Sequence, residues 1–219
     1  MKLALYGHPF SSYTQKALMA LYENAIPFEF KMISPDAPEN YDRLKQAWPL
    51  AKFPLLDEGG TNVFEATSII EYLHARHPGP VRLVPDDVDA AVEVRMLDRV
   101  FDNYVMTPMN AIVRDALRPP EQRHAPSVAE ARTQLEAIYA WLDGRMADRK
   151  WAIGDTFTLA DCAAAPSLFY ADWAHPIAPE HAGLRSYRQR LLARPSYERA
   201  NNEARPYRHY FPLGAPDRD

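Results

Sequence analysis

The hydrophobic pattern changes period along the chain, and each change predicts an element. Leu3, Ala4, Leu5 and Tyr6 form a short apolar run stopped by Gly7, His8 and Pro9, which suits a buried strand. After Ser11 and Ser12, the residues Ala17, Leu18, Leu21 and Tyr22 recur at the three-and-four spacing of one helix face, and Pro27 closes the segment. Phe28 to Met32 then alternates apolar with charged positions, the mark of a strand with one exposed face. Strand, helix, strand is the crossover unit of a parallel pair. Phe53–Leu56 and Val63–Phe64, separated by Glu58-Gly59-Gly60, predict a hairpin, and a helix follows from about Ala66 to Arg76.

Residues 78–87 carry Pro78, Pro80 and Pro85 and read as a linker. It divides a mixed α/β unit, residues 1–77, from an all-α unit, residues 88–219, in which strand signals vanish. Val92, Met96, Val100 and Phe101 mark the apolar face of one helix, and Leu135, Ile138, Tyr139 and Leu142 that of another, which Ser127 and Glu130 would open as a capping box. Thr158 and Asp161 form a second capping box, opening a segment from Leu159 to about His175. Its interior, Ala163 to Tyr170, is apolar around the whole circumference and predicts the central buried helix of a bundle.

Composition narrows the function classes. Lys plus Arg number 25 against 29 Asp plus Glu, and a formal charge of -4 argues against a nucleic-acid binder. Apolar residues make up 47% of the chain, yet no run approaches the roughly 18 needed to cross a bilayer. Cys162 is the single cysteine, which excludes an internal disulfide, a CxxC redox pair and a four-cysteine metal site. Within its apolar helix it reads as a buried small hydrophobe. With no signal-like apolar run near residue 1, the expected setting is reducing and cytoplasmic. The seven histidines show no HExxH-type spacing, so no metal site is expected.

Four segments occur in a telling order: SSYTQKAL at the first helix, WPLAKFPLL before the hairpin, FEATSIIEYL after it, and GDTFTLADCAAAP at the buried helix. Together, nearly end to end, they resemble the cytosolic glutathione transferase superfamily, and within it the serine-using branch that includes the zeta and theta types. The cysteine that follows the paired serines in the zeta pattern is Tyr13 here, which weakens the link to maleylacetoacetate isomerisation. The resemblance implies a thioredoxin-like N-terminal domain with a mixed sheet, a C-terminal helical bundle, glutathione as co-substrate, transfer to a hydrophobic electrophilic small molecule, and a two-fold homodimer. The dimer would join the helix from Glu65 to Arg76 and that from Asp89 to Asp102, with Arg76, Arg95 and Arg99 facing Glu71, Asp98 and Asp102.

The implied chemistry needs a thiolate, because a thiol with a pKa of roughly 8.5 is mostly protonated at neutral pH. Ser11, at the start of the first helix, is the implied hydroxyl that donates to sulfur, while Ser12, Tyr6 and Tyr13 are rivals; a helix cap is the simpler role for either serine. The resemblance makes Pro54 the residue after a cis bond, with the Phe53 backbone meeting the cysteinyl part of glutathione. It gives Glu65 and Ala66 to the γ-glutamyl end, with Thr67 standing in for the serine hydroxyl that Ala66 lacks, and Lys52 to the glycine carboxylate. Phe10, Tyr13, Tyr104 and Met109 are the candidate second-substrate pocket, expected to be apolar and aromatic. Glutathione-dependent isomerisation or peroxide reduction are further activities of the same fold. A protein that kept the fold and lost the chemistry is the competing class, favoured by Ala66 and Tyr13.

Overall fold

The computed structural model describes residues 3–219; Met1 and Lys2, which the sequence places at the start of the first unit, lie outside the described residues. Strand β1 (Leu3–Gly7), helix α1 (Ser12–Glu23) and strand β2 (Phe28–Met32) form the expected crossover, with β1 and β2 parallel and Leu3 opposite Phe28. Helix α2 (Pro38–Ala47) follows, which no apolar stripe announces because Leu44 is its only buried residue. Strands β3 (Leu55–Glu58) and β4 (Thr61–Phe64) are the expected hairpin, and the sheet runs β2-β1-β3-β4 with β3 antiparallel to β1. Helix α3 (Ala66–Arg76) buries Ile69, Ile70 and Leu73 and packs on α1 and β4.

Residues 77–87 hold neither helix nor strand, as the prolines imply. The connection is nonetheless fastened: Leu83 is fully buried, and its carbonyl accepts from the Leu159 amide at 2.8 Å. Beyond it come α4 (Val88–Val100), a π-helical stretch (Phe101–Met106), α5 (Thr107–Ala116), α6 (Ala125–Met146), α7 (Leu159–Ala174), α8 (Ala182–Leu192) and α9 (Pro195–Ala204). Every residue of α7 is buried, as an all-round apolar helix requires, and it packs against α1, α4, α5 and α8. No helix among the described residues is long and apolar enough to cross a membrane.

Two expectations about helix faces and ends are corrected. Helix α6 begins at Ala125 with His124 as its cap, whose ring nitrogen accepts from the Ser127 amide at 3.3 Å. Ser127 therefore lies inside the helix, not at its cap; Pro126, pre-set for a first turn, starts the helix earlier. On α4 the buried face is Ala91, Val94, Leu97 and Asp98, whereas Val92 is 59% and Met96 46% exposed. The helix is turned this way because Asp98 is drawn inside by a buried Lys16, whose ammonium lies 2.6 Å from its carboxylate. A hydrophobic count places neither charge in a core.

The capping box of Thr158 and Asp161 is present and is the hub of the helical unit. The Asp161 carboxylate accepts from the Thr158 amide at 2.8 Å, the Ala152 amide at 2.8 Å and the Tyr187 hydroxyl at 2.7 Å, tying the loop before α7 and helix α8 to one buried group. Burial pushes this carboxyl above its ordinary value, against the pull of those donors on its anion. Cys162, one position further, is fully buried, and burial holds its thiol well above its ordinary value.

Candidate active site

The first wall of the site is the turn from β1 into α1. Gly7 sits so close to α1 that a Cβ there would lie 2.7 Å from the Thr14 side chain, so a larger residue would push the turn off the helix. The Ser11 amide donates to the His8 carbonyl at 2.9 Å, and the Ser11 hydroxyl accepts from the Thr14 amide at 3.3 Å, making Ser11 the cap of α1. Accepting leaves the hydroxyl proton free to donate elsewhere. The first amides of α1 have no partner within the helix and add positive dipole at the same point. His8 is held below its ordinary pKa by burial, and its Nδ1 accepts from the Phe10 amide at 3.2 Å, so the ring is neutral and braces the turn.

Two buried side chains clamp this turn from behind. Gln15 donates to the Pro9 carbonyl at 2.9 Å and to the Tyr170 hydroxyl at 3.1 Å, and Tyr170 in turn donates to the Phe10 carbonyl at 2.9 Å. Tyr170 belongs to α7, so the central helix of the second unit sets the backbone that carries Ser11. Tyr170→Phe should remove the donor to Phe10 and leave two buried polar groups short of a partner. A melting experiment should show a loss of about 1–3 kcal/mol; unchanged melting would contradict the clamp.

The second wall is the sheet edge and the start of α3. The Phe53–Pro54 peptide bond is cis, and the β1–β3 register ends at Leu55, which leaves the Phe53 backbone beyond the paired ladder. Glu65 caps α3 with φ 64° and ψ 124°, a left-handed conformation that disfavours a residue with a Cβ. Its carboxylate has no hydrogen bond or ion pair among the described residues and is exposed at the mouth of the site. Lys52, Phe53, Pro54, Glu65 and Ala66 line one cleft of about 640 Å³, a volume suited to a small molecule. Trp48, against Phe64, belongs to the same side, and the cleft is completed by Tyr13, Arg99, Asp102, Asn103, Thr107, Asn110 and Arg114. Ser11 is two residues from Tyr13 and is not itself among the lining residues.

Beneath the cleft, a charged network joins α1, α3, α4 and the π-helical stretch. The Lys16 ammonium lies 2.6 Å from Asp98, 2.7 Å from Asp102 and 2.9 Å from the Thr67 hydroxyl, while Arg99 reaches Asp98 and Thr67. Thr67 also donates to Asp98 at 2.9 Å. One hydroxyl has one proton and two lone pairs, so within the chain Thr67 is already fully engaged. Burial raises the Asp102 carboxyl above its ordinary value despite Lys16, and burial together with Asp102 and Glu65 pushes the Tyr13 hydroxyl up to about 12. A tyrosine so raised stays protonated at neutral pH. Tyr6, the other tyrosine considered, is buried against Leu44 and Leu55.

Of the four residues expected to form the second-substrate pocket, Tyr13 alone is among those that line this cleft. Tyr13 lines the cleft, but Met109 is only 4% exposed within the core, Tyr104 is 60% exposed outside the cleft, and Phe10 packs edge-on against Tyr170 at 5.3 Å. Facing Tyr13 instead is the polar stripe Asn103, Thr107, Asn110 and Arg114. It recurs at helical spacing opposite the buried Val105, Met106, Met109 and Ile112, so its signal was present in the sequence as the polar side of an amphipathic segment. Trp48, its ring tilted against Phe64 with centroids 4.9 Å apart, and the pair Arg99 and Asp102 carried no such signal.

Two family models match this architecture. The glutathione S-transferase N-terminal domain matches residues 5–81 and the glutathione S-transferase C-terminal domain residues 105–195, together well over half of the chain. The chain belongs to the glutathione S-transferase family. Glutathione S-transferase GstB of Escherichia coli (strain K12) is 27% identical over 198 residues, covering 89% of this chain and 95% of the relative. A probable maleylacetoacetate isomerase of Caenorhabditis elegans is 28% identical over 176 residues, 78% of this chain and 79% of the relative. Among solved structures, a glutathione S-transferase of Methylobacterium radiotolerans in complex with glutathione sulfonate is 29% identical and superposes with a TM-score of 0.77, covering 91% of this chain and 94% of the other. A glutathione S-transferase of this architecture uses glutathione as its co-substrate, and the residues lining the cleft lie in the segments the family models match except for Arg99, Asp102 and Asn103 between them.

Proposed function

We propose that this enzyme is a serine-type glutathione transferase in which Ser11 holds the glutathione sulfur as thiolate and the cleft lined by Lys52, Phe53, Pro54, Glu65 and Ala66 holds the rest of the tripeptide. The observation that carries the reading is the convergence of these five residues, from two separate segments, on one cleft beside the α1 N-terminus. The Glu65 carboxylate faces the γ-glutamyl ammonium, the Ala66 amide at the start of α3 takes the α-carboxylate, the free Phe53 backbone pairs with the cysteinyl amide, and Lys52 takes the glycine carboxylate. The sulfur then lies toward Ser11. Its hydroxyl donates one charge-assisted hydrogen bond, and the α1 dipole adds to the field that favours the anion. The thiol proton leaves to solvent; the thiolate then forms the S–C bond as the π-bond of the electrophile opens, and the atom that takes its electron pair picks up a proton from solvent.

Glu65 tests the tripeptide's placement by separating binding from stability. Glu65→Gln should weaken glutathione by about tenfold or more in calorimetry, since a charge-assisted pair is worth about 1.5–3 kcal/mol. Glu65→Gly should weaken it similarly while the melting temperature holds or rises, because glycine relieves a backbone conformation that costs on the order of 1–3 kcal/mol. Glutathione affinity unchanged in both variants would refute the placement.

The same reading includes a homodimer. The charge complement expected between two copies is largely used inside one: Arg95 pairs with Glu71 at 2.6 Å, and Arg99 with Asp98 and Asp102. What α4 leaves uncovered is apolar, with Val88 73%, Val92 59% and Met96 46% exposed in one i, i+4, i+8 stripe. A second copy packed on this stripe supports the dimer better than charge does. Sedimentation at micromolar concentration should give twice the 25.0 kDa mass of one chain, and Val92→Glu should shift it to one; a monomer in the unsubstituted protein would remove the dimer from the account.

A further inference from the structure

We propose that the second substrate is an electrophile bearing a carboxylate or equivalent anion, and that Arg114 is the residue that anchors it; this rests on the glutathione reading of the same cleft. The wall left for a second substrate, once glutathione occupies the sheet side, is Tyr13 with Asn103, Thr107, Asn110, Ala111 and Arg114. Apart from Ala111 and the Tyr13 ring, that wall offers hydrogen-bonding or cationic groups, a poor match for a purely apolar compound.

Charge in the cleft points the same way. Its lining carries Lys52, Arg99 and Arg114 against Glu65 and Asp102. Arg99 is matched within the chain by Asp98 and Asp102, and Asp102 is matched again by Lys16. Glutathione brings one ammonium for Glu65, a glycine carboxylate for Lys52 and an α-carboxylate for the Ala66 amide at the start of α3. Arg114 then remains as a lining cation with no hydrogen bond or ion pair among the described residues. Tyr13, Asp102, Glu65, Arg99 and Arg114 line one and the same cleft. A guanidinium presents paired donors that match a carboxylate, with Asn110 one helical turn before it as a further donor.

Binding of two glutathione conjugates tests the proposal without requiring that the natural electrophile be known. S-(4-carboxybenzyl)glutathione and S-benzylglutathione differ only in the carboxylate. Calorimetry at low ionic strength should show the carboxylated conjugate binding about tenfold more tightly, and Arg114→Gln should bring the two to within about twofold of each other. Because Arg114 is exposed, this variant breaks no hydrogen bond or ion pair among the described residues. If both conjugates bind the unsubstituted protein equally well, the anionic class is wrong while the glutathione reading stands. A preference that survives Arg114→Gln overturns the assignment to Arg114. If neither conjugate binds, the glutathione reading itself fails and the inference falls with it.

Discussion

Ser11→Ala is expected to raise the pKa of bound glutathione and to lower turnover at neutral pH by about ten- to a hundredfold, the worth of one charge-assisted hydrogen bond of about 1.5–3 kcal/mol. The same change removes the acceptor for the Thr14 amide, so the protein should also lose about 0.5–2 kcal/mol of stability while remaining folded. Ser11→Asp separates the two effects. A carboxylate still caps α1, so stability returns, but it cannot donate to sulfur and sets a negative charge beside it, so the thiol pKa rises further. Ser12, the first residue of α1, makes no cap contact, and Ser12→Ala should do less to both quantities. A larger loss of turnover in Ser12→Ala, at unchanged stability, would show that the neighbouring serine carries the hydrogen bond.

Asp161→Ala should give the largest loss of stability of any single change considered, about 3–5 kcal/mol, with glutathione binding by the folded fraction intact. A cap contact alone is worth about 0.5–2 kcal/mol. Here the deletion also strands the Ala152 amide and the Tyr187 hydroxyl in a site closed to water, and each unmet donor costs about 1–3 kcal/mol without full additivity. Asp161→Asn, which keeps one acceptor but turns a donor toward these groups, should lie between. Urea unfolding measures the loss; unchanged unfolding with lost glutathione affinity would make Asp161 a binding residue instead of a structural one.

Legibility in the sequence followed the range of the interactions. The crossover β1-α1-β2, the hairpin β3-β4 and α3 were readable because their apolar periods and turn residues are local. Helix α7 was readable because an apolar run without a polar face has one place to go. Helix α2 was not, since one buried leucine makes no stripe. The face of α4 was misread because a buried Lys16–Asp98 pair spans 82 residues of sequence and inverts the usual rule that charges stay outside. In the site, Pro54 and Glu65 stood in recognisable motifs. The polar stripe Asn103, Thr107, Asn110 and Arg114 did not, because it is a polar helix face whose meaning depends on what it is packed opposite.

The ionisation of glutathione in the cleft, read from thiolate absorbance as the complex is titrated with base, tests the role of Ser11 most directly. The bound thiol should ionise well below its ordinary value of roughly 8.5, and Ser11→Ala should return it most of the way. A bound thiol that titrates as it does in free solution would contradict the account, for the cleft would then hold the tripeptide without activating it.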